Sequence, residues 1–326
     1  MILTRSPYRV SFFGGGTDYE DWFSAHGGAF LSMSINYYTY ISLRIKPEFQ
    51  KKKFRVLWRL AEDVSNIEDI QHPIVRESLK KFNFNKGLDI SYIGDLPGGS
   101  GMGSSSAFTA ALICALYADM KKTLNPYELA SMSYDIEKNM LKETVGVQDQ
   151  IATAFGGFNS VTIKKDGSYQ VSPVNLSEEE LSAFIGRLVL VYTGITRRAT
   201  DFAEEKVSNM SNKTKDFKSL QDMVPEAHEY LLSGKIDGFG KLLNKAWNIK
   251  RGLTSNITNT DIDELYNHGL KNGALGGKLL GAGGGGFLLF VAKEGEKEKL
   301  LSSLSDNLVV PFEVSSSGTK ILYDEG

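Results

Sequence analysis

One cysteine, four histidines and no long apolar run are what this 326-residue chain has least of, and each shortage excludes something. A lone cysteine, Cys114, allows no intrachain disulfide and fits a reducing compartment. It lies in an apolar stretch and reads as a packing residue rather than a nucleophile. His26, His72, His228 and His268 are scattered without metal-ligand spacing, so no histidine-ligated metal is expected. No apolar segment approaches the roughly 18 residues of a membrane span. The opening "MILTRSPYRVSFFGGG" has neither the long apolar core nor the small-residue cleavage site of a signal peptide. A cytoplasmic protein with no membrane partner is the expectation. Charge of one sign is also missing: 37 Lys and Arg face 39 Asp and Glu, a net of -2. That leaves no basic footprint for nucleic acid, and Lys51-Lys52-Lys53 reads as a solvated loop.

What the chain has in excess is glycine. Its 33 glycines are not spread evenly, and three clusters stand out: Gly14-Gly15-Gly16, Gly98 to Gly103, and Gly276 to Gly286. Each cluster is flanked by strand-like or helix-like sequence, which is not how flexible linkers are built. The segments "YRVSFFG", "FLSMSINYYTYISLRI", "KFRVLWRL" and "LDISYIGDLP" are rich in β-branched and aromatic residues and predict strands. Ala107 to Ala118 predicts a buried helix. A second helix begins with Asn125 as N-cap, Pro126 at the first position and Glu128 closing a capping box. Leu129, Met132, Ile136 and Met140 give it one apolar stripe, with Glu137 just off that stripe at the edge between core and solvent. Later come the strands "RLVLVYTGI" and "GGFLLFVA", a charged helix "KEGEKEKLLSSL" and two short closing strands. This mixture predicts an α+β protein of two domains, residues 1–186 and 187–326.

The middle cluster holds four glycines and four serines in nine residues, directly before a helix. Free backbone N–H groups and the positive end of a helix dipole then converge on one point, a geometry that suits phosphate. A capped helix after a flexible turn would account for only one serine and one glycine. No lysine follows, so this is not a Walker loop. The pattern G-x-G-x-x-G does occur at Gly281, Gly283 and Gly286, but a strand follows it where a dinucleotide fold needs a helix.

Three separated motifs, "SPYRVSFFGGGTDY", "LPGGSGMGSSSA" and "GGKLLGAGGGG", resemble in order those of the GHMP kinase superfamily. With "VGVQDQIATAFGGFN" and "TGITRRA", the chain looks most like the D-glycero-D-manno-heptose 7-phosphate kinases. The resemblance implies an N-terminal domain like domain 2 of ribosomal protein S5 and a ferredoxin-like C-terminal domain. It implies ATP, in the syn conformation, and Mg²⁺ as cofactors, with a phosphosugar substrate between the domains. Pro97, Gly98, Gly99, Ser100, Gly101, Met102, Gly103, Ser104, Ser105 and Ser106 would bind ATP. Mg²⁺ would fall to Ser106 and to Glu137, twelve positions before the catalytic aspartate, with the choice among the three serines open by one position.

Asp149 in "GVQDQ" matches the catalytic aspartate, which would accept the proton of a sugar hydroxyl. Arg9 would keep that carboxylate charged and offset charge on the transferring phosphoryl group. A buried arginine needs a partner in any case, and Asp149 is the expected one. Thr17 and Asp18 match the sugar-contacting part of the first motif, though either could instead cap the segment "YEDWFSAHG". Gly283, Gly284 and Gly285 would close over the substrate. Arg197 and Arg198 rank first as the clamp for a substrate phosphate, with Lys250-Arg251 as the other candidate. The implied activity is phosphorylation of the anomeric hydroxyl. The alternatives are a fucose or galactose kinase of the same fold, or a non-catalytic sugar and ATP sensor.

Overall fold

The computed structural model describes residues 1–196, 200–254 and 257–325, the side chains of residues 200–202 apart. Its first sheet is built on two long strands, β1 (Ile2–Phe13) and β2 (Gly28–Ile45), separated by the short helix α1 (Glu20–His26). β2 is long enough to serve several partners. Along one stretch, Gly28 to Met33, it pairs with β6 (Phe158–Ile163), and along Thr39 to Ile45 with β5 (Leu88–Gly94). β3 (Phe54–Leu57) runs parallel to β5, and β4 (Ala61–Val64) folds back on β3. The segment read as one strand, "KFRVLWRL", is therefore a strand and a turn, closed by Trp58 N–H donating to Leu60 O at 2.9 Å. No glycine or proline marks that turn, so the pattern could not reveal it. β7 (Tyr169–Pro173) extends the sheet beyond β6.

Helices cover this sheet. α2 (Pro73–Lys81) precedes α3 (Ser104–Asp119), which is buried on nearly all its faces, as its continuous apolar sequence requires. α4 (Pro126–Tyr134) carries the expected capping box, with Asn125 and Glu128 bonded reciprocally. It passes into a wider π-helical segment, Asp135–Met140, before α5 (Gln148–Phe155) and α6 (Glu178–Gly186).

The second sheet has four antiparallel strands. β8 (Leu188–Tyr192) lies between β11 (Leu308–Val309) and β10 (Phe287–Ala292), and β9 (Ala274–Leu279) closes the other side. Its helices are α7 (Thr200–Ser208), α8 (Thr214–Leu232), α9 (Ile236–Arg251), α10 (Thr260–Lys271) and α11 (Lys297–Ser303). β9 was hidden by its glycines, which serve packing: a methyl on Gly276 would lie 2.2 Å from the carbonyl oxygen of Gly240 in α9.

Mixed α and β elements on two sheets give the expected α+β, two-domain architecture. The chain's end does not stay with the second sheet. Val314 bridges to Ile35, and β12 (Lys320–Asp324) pairs with β1. The two sheets also share a core, in which Phe12 and Phe13 of β1 meet Phe239 of α9 at ring distances of 5.4 and 5.1 Å. The far end of β1 thus lies at the seam between the sheets, which is where the site forms.

Cys114 is half-buried in α3, and burial pushes its thiol up to about 11. At pH 8 the folded protein should react with iodoacetamide roughly a hundredfold more slowly than the unfolded chain, since the thiolate is the nucleophile. Mass spectrometry of alkylation with and without denaturant checks this.

Candidate active site

The three glycine clusters converge on one cavity, walled by β1, the loop after it, the start of α3, the start of α5, and the loop between β9 and β10. The two later loops pack backbone against backbone. Gly101 has φ +75°, and a methyl there would lie 2.7 Å from Leu280 O; one on Gly281 would lie 2.4 Å from the Gly101 α-carbon. Glycine is required here for loop-to-loop contact as well as for exposing N–H groups.

At the centre lies an ion pair. Arg9 donates through Nε to Asp149 Oδ1 at 2.7 Å and through Nη2 to Oδ2 at 2.9 Å. Its third nitrogen, Nη1, donates to Gly101 O at 2.6 Å, so one guanidinium ties the carboxylate to the glycine-serine loop. The Arg9 side chain is 6% exposed and that of Asp149 30%, so the carboxylate opens into the cavity while the cation behind it does not. A methyl on Gly103 would come 3.5 Å from Asp149 Oδ2, which makes the loop and the carboxylate immediate neighbours.

Helix α3 begins after Gly103, which is left-handed and supplies no side-chain cap. None of Ser104, Ser105 and Ser106 caps the helix. Ser106 instead donates to Glu137 Oε2 at 2.9 Å, and Gln150 Nε2 donates to the same oxygen at 2.7 Å. Among the three serines it is Ser106 that faces Glu137. The position expected for Glu137 needs correction: it is 1% exposed, not at the edge of the core. The π-helical turns around it shift the phase of the helix, so the residue after Ile136 also points inward.

Burial pushes Glu137 up to about 7, against the pull of nearby Thr109, Gln150 and Ser106. The Thr109 hydroxyl itself is spent on Ser105 O at 3.1 Å. Glu137 Oε1 and Gln150 Oε1 are both buried with no hydrogen-bond partner among the described residues. Among those residues no three His, Cys, Asp or Glu side chains gather to hold a metal alone. A carboxylate oxygen and a hydroxyl beside a helix N-terminus do fit Mg²⁺, which takes one or two protein oxygens and completes its shell with water and phosphate.

Asp18 also lines the cavity, 5% exposed. Its Oδ1 accepts from Gly16 N–H at 2.9 Å and its Oδ2 from Gln148 N–H at 3.3 Å. Burial raises its pKa, and nearby Asp149 adds to the shift. Neither Asp18 nor Thr17 caps α1, whose N-cap is Tyr19. Thr17 is a further correction. It is fully buried and off the cavity wall; its single hydroxyl proton faces both Gly14 O (2.9 Å) and Ala29 O (2.8 Å) and its oxygen accepts from Ala29 N–H (3.2 Å), so it holds the loop to β2 rather than facing a substrate.

Of the ten loop residues expected at ATP, Gly99, Gly101, Gly103, Ser104, Ser105 and Ser106 line the cavity. Pro97 and Gly98 are exposed at the loop's outer end, while Ser100 and Met102 are turned into the protein. Gly283 and Gly285 line the cavity; Gly284 does not, and its N–H donates to Ile257 O at 2.8 Å. Arg197 and Arg198 lie outside the described residues. The pair Lys250-Arg251 divides: Arg251 turns away to Asp263 at 2.6 Å, whereas Lys250 reaches the cavity wall.

Two more lysines line the cavity that sequence reasoning missed, Lys206 of α7 and Lys278 of β9. Lys278 offered a signal, as a lone charge inside the apolar "GGKLLGAG". Lys206, in the charged run "EEK", offered none.

Residues 70–157 match the GHMP kinases N terminal domain family and residues 227–310 the GHMP kinases C terminal family, together more than half of the chain. The chain is 29% identical, over 98% of each sequence, to the D-glycero-alpha-D-manno-heptose 7-phosphate kinase of Campylobacter jejuni. A crystal structure of a D-glycero-D-manno-heptose 1-phosphate kinase from Bacteroides thetaiotaomicron superposes over all of both chains, with a TM-score of 0.82 at 21% identity. The galactokinase of Lactococcus lactis, solved with galactose, superposes over 98% of this chain and 94% of its own, with a TM-score of 0.74 at 18% identity.

Proposed function

The chain belongs to the GHMP kinases, phosphotransferases with an alcohol group as acceptor, and on that premise we propose that its acceptor is a heptose phosphate. The reading is transfer of the γ-phosphoryl group of ATP to the anomeric hydroxyl of D-glycero-D-manno-heptose 7-phosphate, yielding the 1,7-bisphosphate for nucleotide-activated heptose synthesis. The observation that carries it is the Arg9–Asp149 pair, set against the glycine-serine loop at Gly101 and Gly103. The choice of sugar follows the Campylobacter jejuni heptose 7-phosphate kinase, to which the chain is similar end to end.

In this reading the triphosphate lies along Gly99–Ser106, with the N–H groups at the start of α3 turned toward it. Asp149 accepts the proton of the anomeric hydroxyl as that oxygen bonds to the γ-phosphorus and the bond to ADP breaks. Asp18, with a lone pair left on each oxygen, accepts other sugar hydroxyls. Ser106 and Glu137 would hold Mg²⁺, which when bound offsets charge on the triphosphate.

The test is an ATP-consumption screen over galactose, fucose, free heptose, heptose 1-phosphate and heptose 7-phosphate. Heptose 7-phosphate should be used at least about a hundredfold more efficiently than the free sugars, because a site built for a polar group rejects the analogue that lacks it. Phosphorus NMR of the product should place the new phosphate on the anomeric carbon. Turnover confined to free sugars would overturn the heptose-phosphate reading.

A further inference from the structure

Lys206, Lys250 and Lys278 reach the same cavity from three elements of the C-terminal half, α7, α9 and β9. They are 6, 8 and 5% exposed. Buried ammonium groups normally pair with carboxylates, because leaving water is costly for an unpaired charge. Among the described residues no carboxylate lies within ion-pair distance of any of the three. Lys278 donates to Phe12 O at 2.8 Å, and Lys250 to Leu279 O at 2.9 Å and Gly281 O at 2.6 Å. These acceptors are neutral backbone carbonyls.

The surrounding charges do not balance. Arg9 is matched by Asp149, and Lys206 feels the attraction of Asp18 and Asp149. Lys250 is opposed by Lys278, Lys206 and Arg9, and Lys278 by Arg9 and Lys206. Burial and this mutual repulsion push Lys250 well down and Lys278 to about 7. Among the described residues Asp18 and Asp149 are the anions acting on this group, against Arg9 and three lysines, so two cations are left over and a bound dianion would match them.

The place of the cluster says which dianion. Lys278 is bonded to β1 just before Gly14-Gly15-Gly16, and Lys206 lies against Gly16 and over the ring of Tyr19. These two are on the Asp18 side of the Arg9–Asp149 pair, while Lys250 is held at Leu279 O and Gly281 O, where the loop after β9 meets Gly101. The open N-terminus of α3, Ser106 and Glu137 belong to another wall, built by the N-terminal half. We propose that Lys206, Lys250 and Lys278 form the subsite for the phosphate monoester carried by the acceptor, fixing its far end while Asp18 and Asp149 take its hydroxyls. The proposal rests on the reading of the acceptor as a phosphosugar, and it moves the phosphate clamp from Arg197 and Arg198 to the buried lysines.

Lys250→Met and Lys278→Met, separately, test it, methionine matching the length of the lysine stem. Each should raise KM for heptose 7-phosphate at least about thirtyfold while KM for ATP moves less than about threefold; one missing charge-assisted phosphate contact is worth that much. With no nucleotide present, millimolar inorganic phosphate should raise the melting temperature of the wild type more than that of either variant, the remainder being phosphate at the glycine-serine loop. The ligand-free variants should melt somewhat below the wild type, because Phe12 O in one, and Leu279 O and Gly281 O in the other, lose a buried donor. If the variants lose stability and keep their KM for the phosphosugar, the lysines are structural staples and the proposal falls. If KM for ATP rises as much as KM for the sugar, they serve the transferring phosphoryl group and the proposal falls as well. If the wild type uses another phosphosugar in place of heptose 7-phosphate and phosphate protection disappears in the variants, the subsite stands and the heptose reading is what fails; if it uses only free sugars, both fall.

Discussion

Asp149→Asn should lower kcat by about 10²- to 10⁴-fold, the range expected for removing a positioned base, while the affinity for ATP stays within a few-fold. The carboxylate meets the cavity while both of its oxygens are held by Arg9, so it is aimed by the pair rather than by its own rotamer preference. The asparagine keeps the shape but turns an N–H₂ toward a guanidinium donor. That change also leaves Arg9 buried without its anion, a cost on the order of 3–5 kcal/mol for breaking a buried pair. Turnover and stability must therefore be separated. The double variant Arg9→Met with Asp149→Asn removes the orphaned cation and should recover most of the lost melting temperature without recovering turnover. Nucleotide binding followed by fluorescence, with single-turnover kinetics, gives both readouts. A single variant that folds, binds ATP and turns over within tenfold of the wild type would mean that positioning alone activates the hydroxyl.

What the sequence made legible was local. The loop before α3, the capping box at Asn125 and Glu128, and the partnership of Arg9 with Asp149 each follow from a short stretch or from the cost of burying a lone cation. Other features depend on contacts that no short stretch encodes. Lys206, Lys250 and Lys278 lie in three separate elements: Lys206 reads alone as an ordinary surface charge, Lys250 only as half of the candidate pair Lys250-Arg251, and Lys278 as a lone charge in an apolar run, so nothing local joins them. Thr17 and Asp18 match the sugar-contacting part of the first motif together, but adjacent side chains on a loop point different ways, and only Asp18 turns to the cavity. Glu137 was placed by a regular helical period, which the π-helical turns at Asp135–Met140 break. β12 could be read as a strand, but its partner β1 lies at the opposite end of the chain. Residues 280 to 286 could be read as a loop, but not as one that packs against Gly101.

That last contact predicts opposite outcomes for two glycines of one motif. Gly98→Ala should change stability by less than about 0.5 kcal/mol, as expected of a surface substitution, because Gly98 is exposed and an added methyl would meet no atom within 4 Å. Gly101→Ala should cost about 3 kcal/mol, combining the left-handed backbone penalty with overpacking. At φ +75° its methyl would press on Leu280 O at 2.7 Å, a backbone atom that cannot rotate away. The loops must then separate, and both carry functional bonds: Gly101 O accepts from Arg9, and Gly281 O accepts from Lys250. A displacement of that kind misaims the Asp149 carboxylate and the lysine cluster together. A loss of about a hundredfold in kcat/KM is expected from an ångström-scale shift, for ATP and for the sugar alike. Urea denaturation and steady-state kinetics on the two variants check this. Equal behaviour of Gly98→Ala and Gly101→Ala would mean that the loops do not rest on each other in solution, and that the glycines serve the bound phosphate alone.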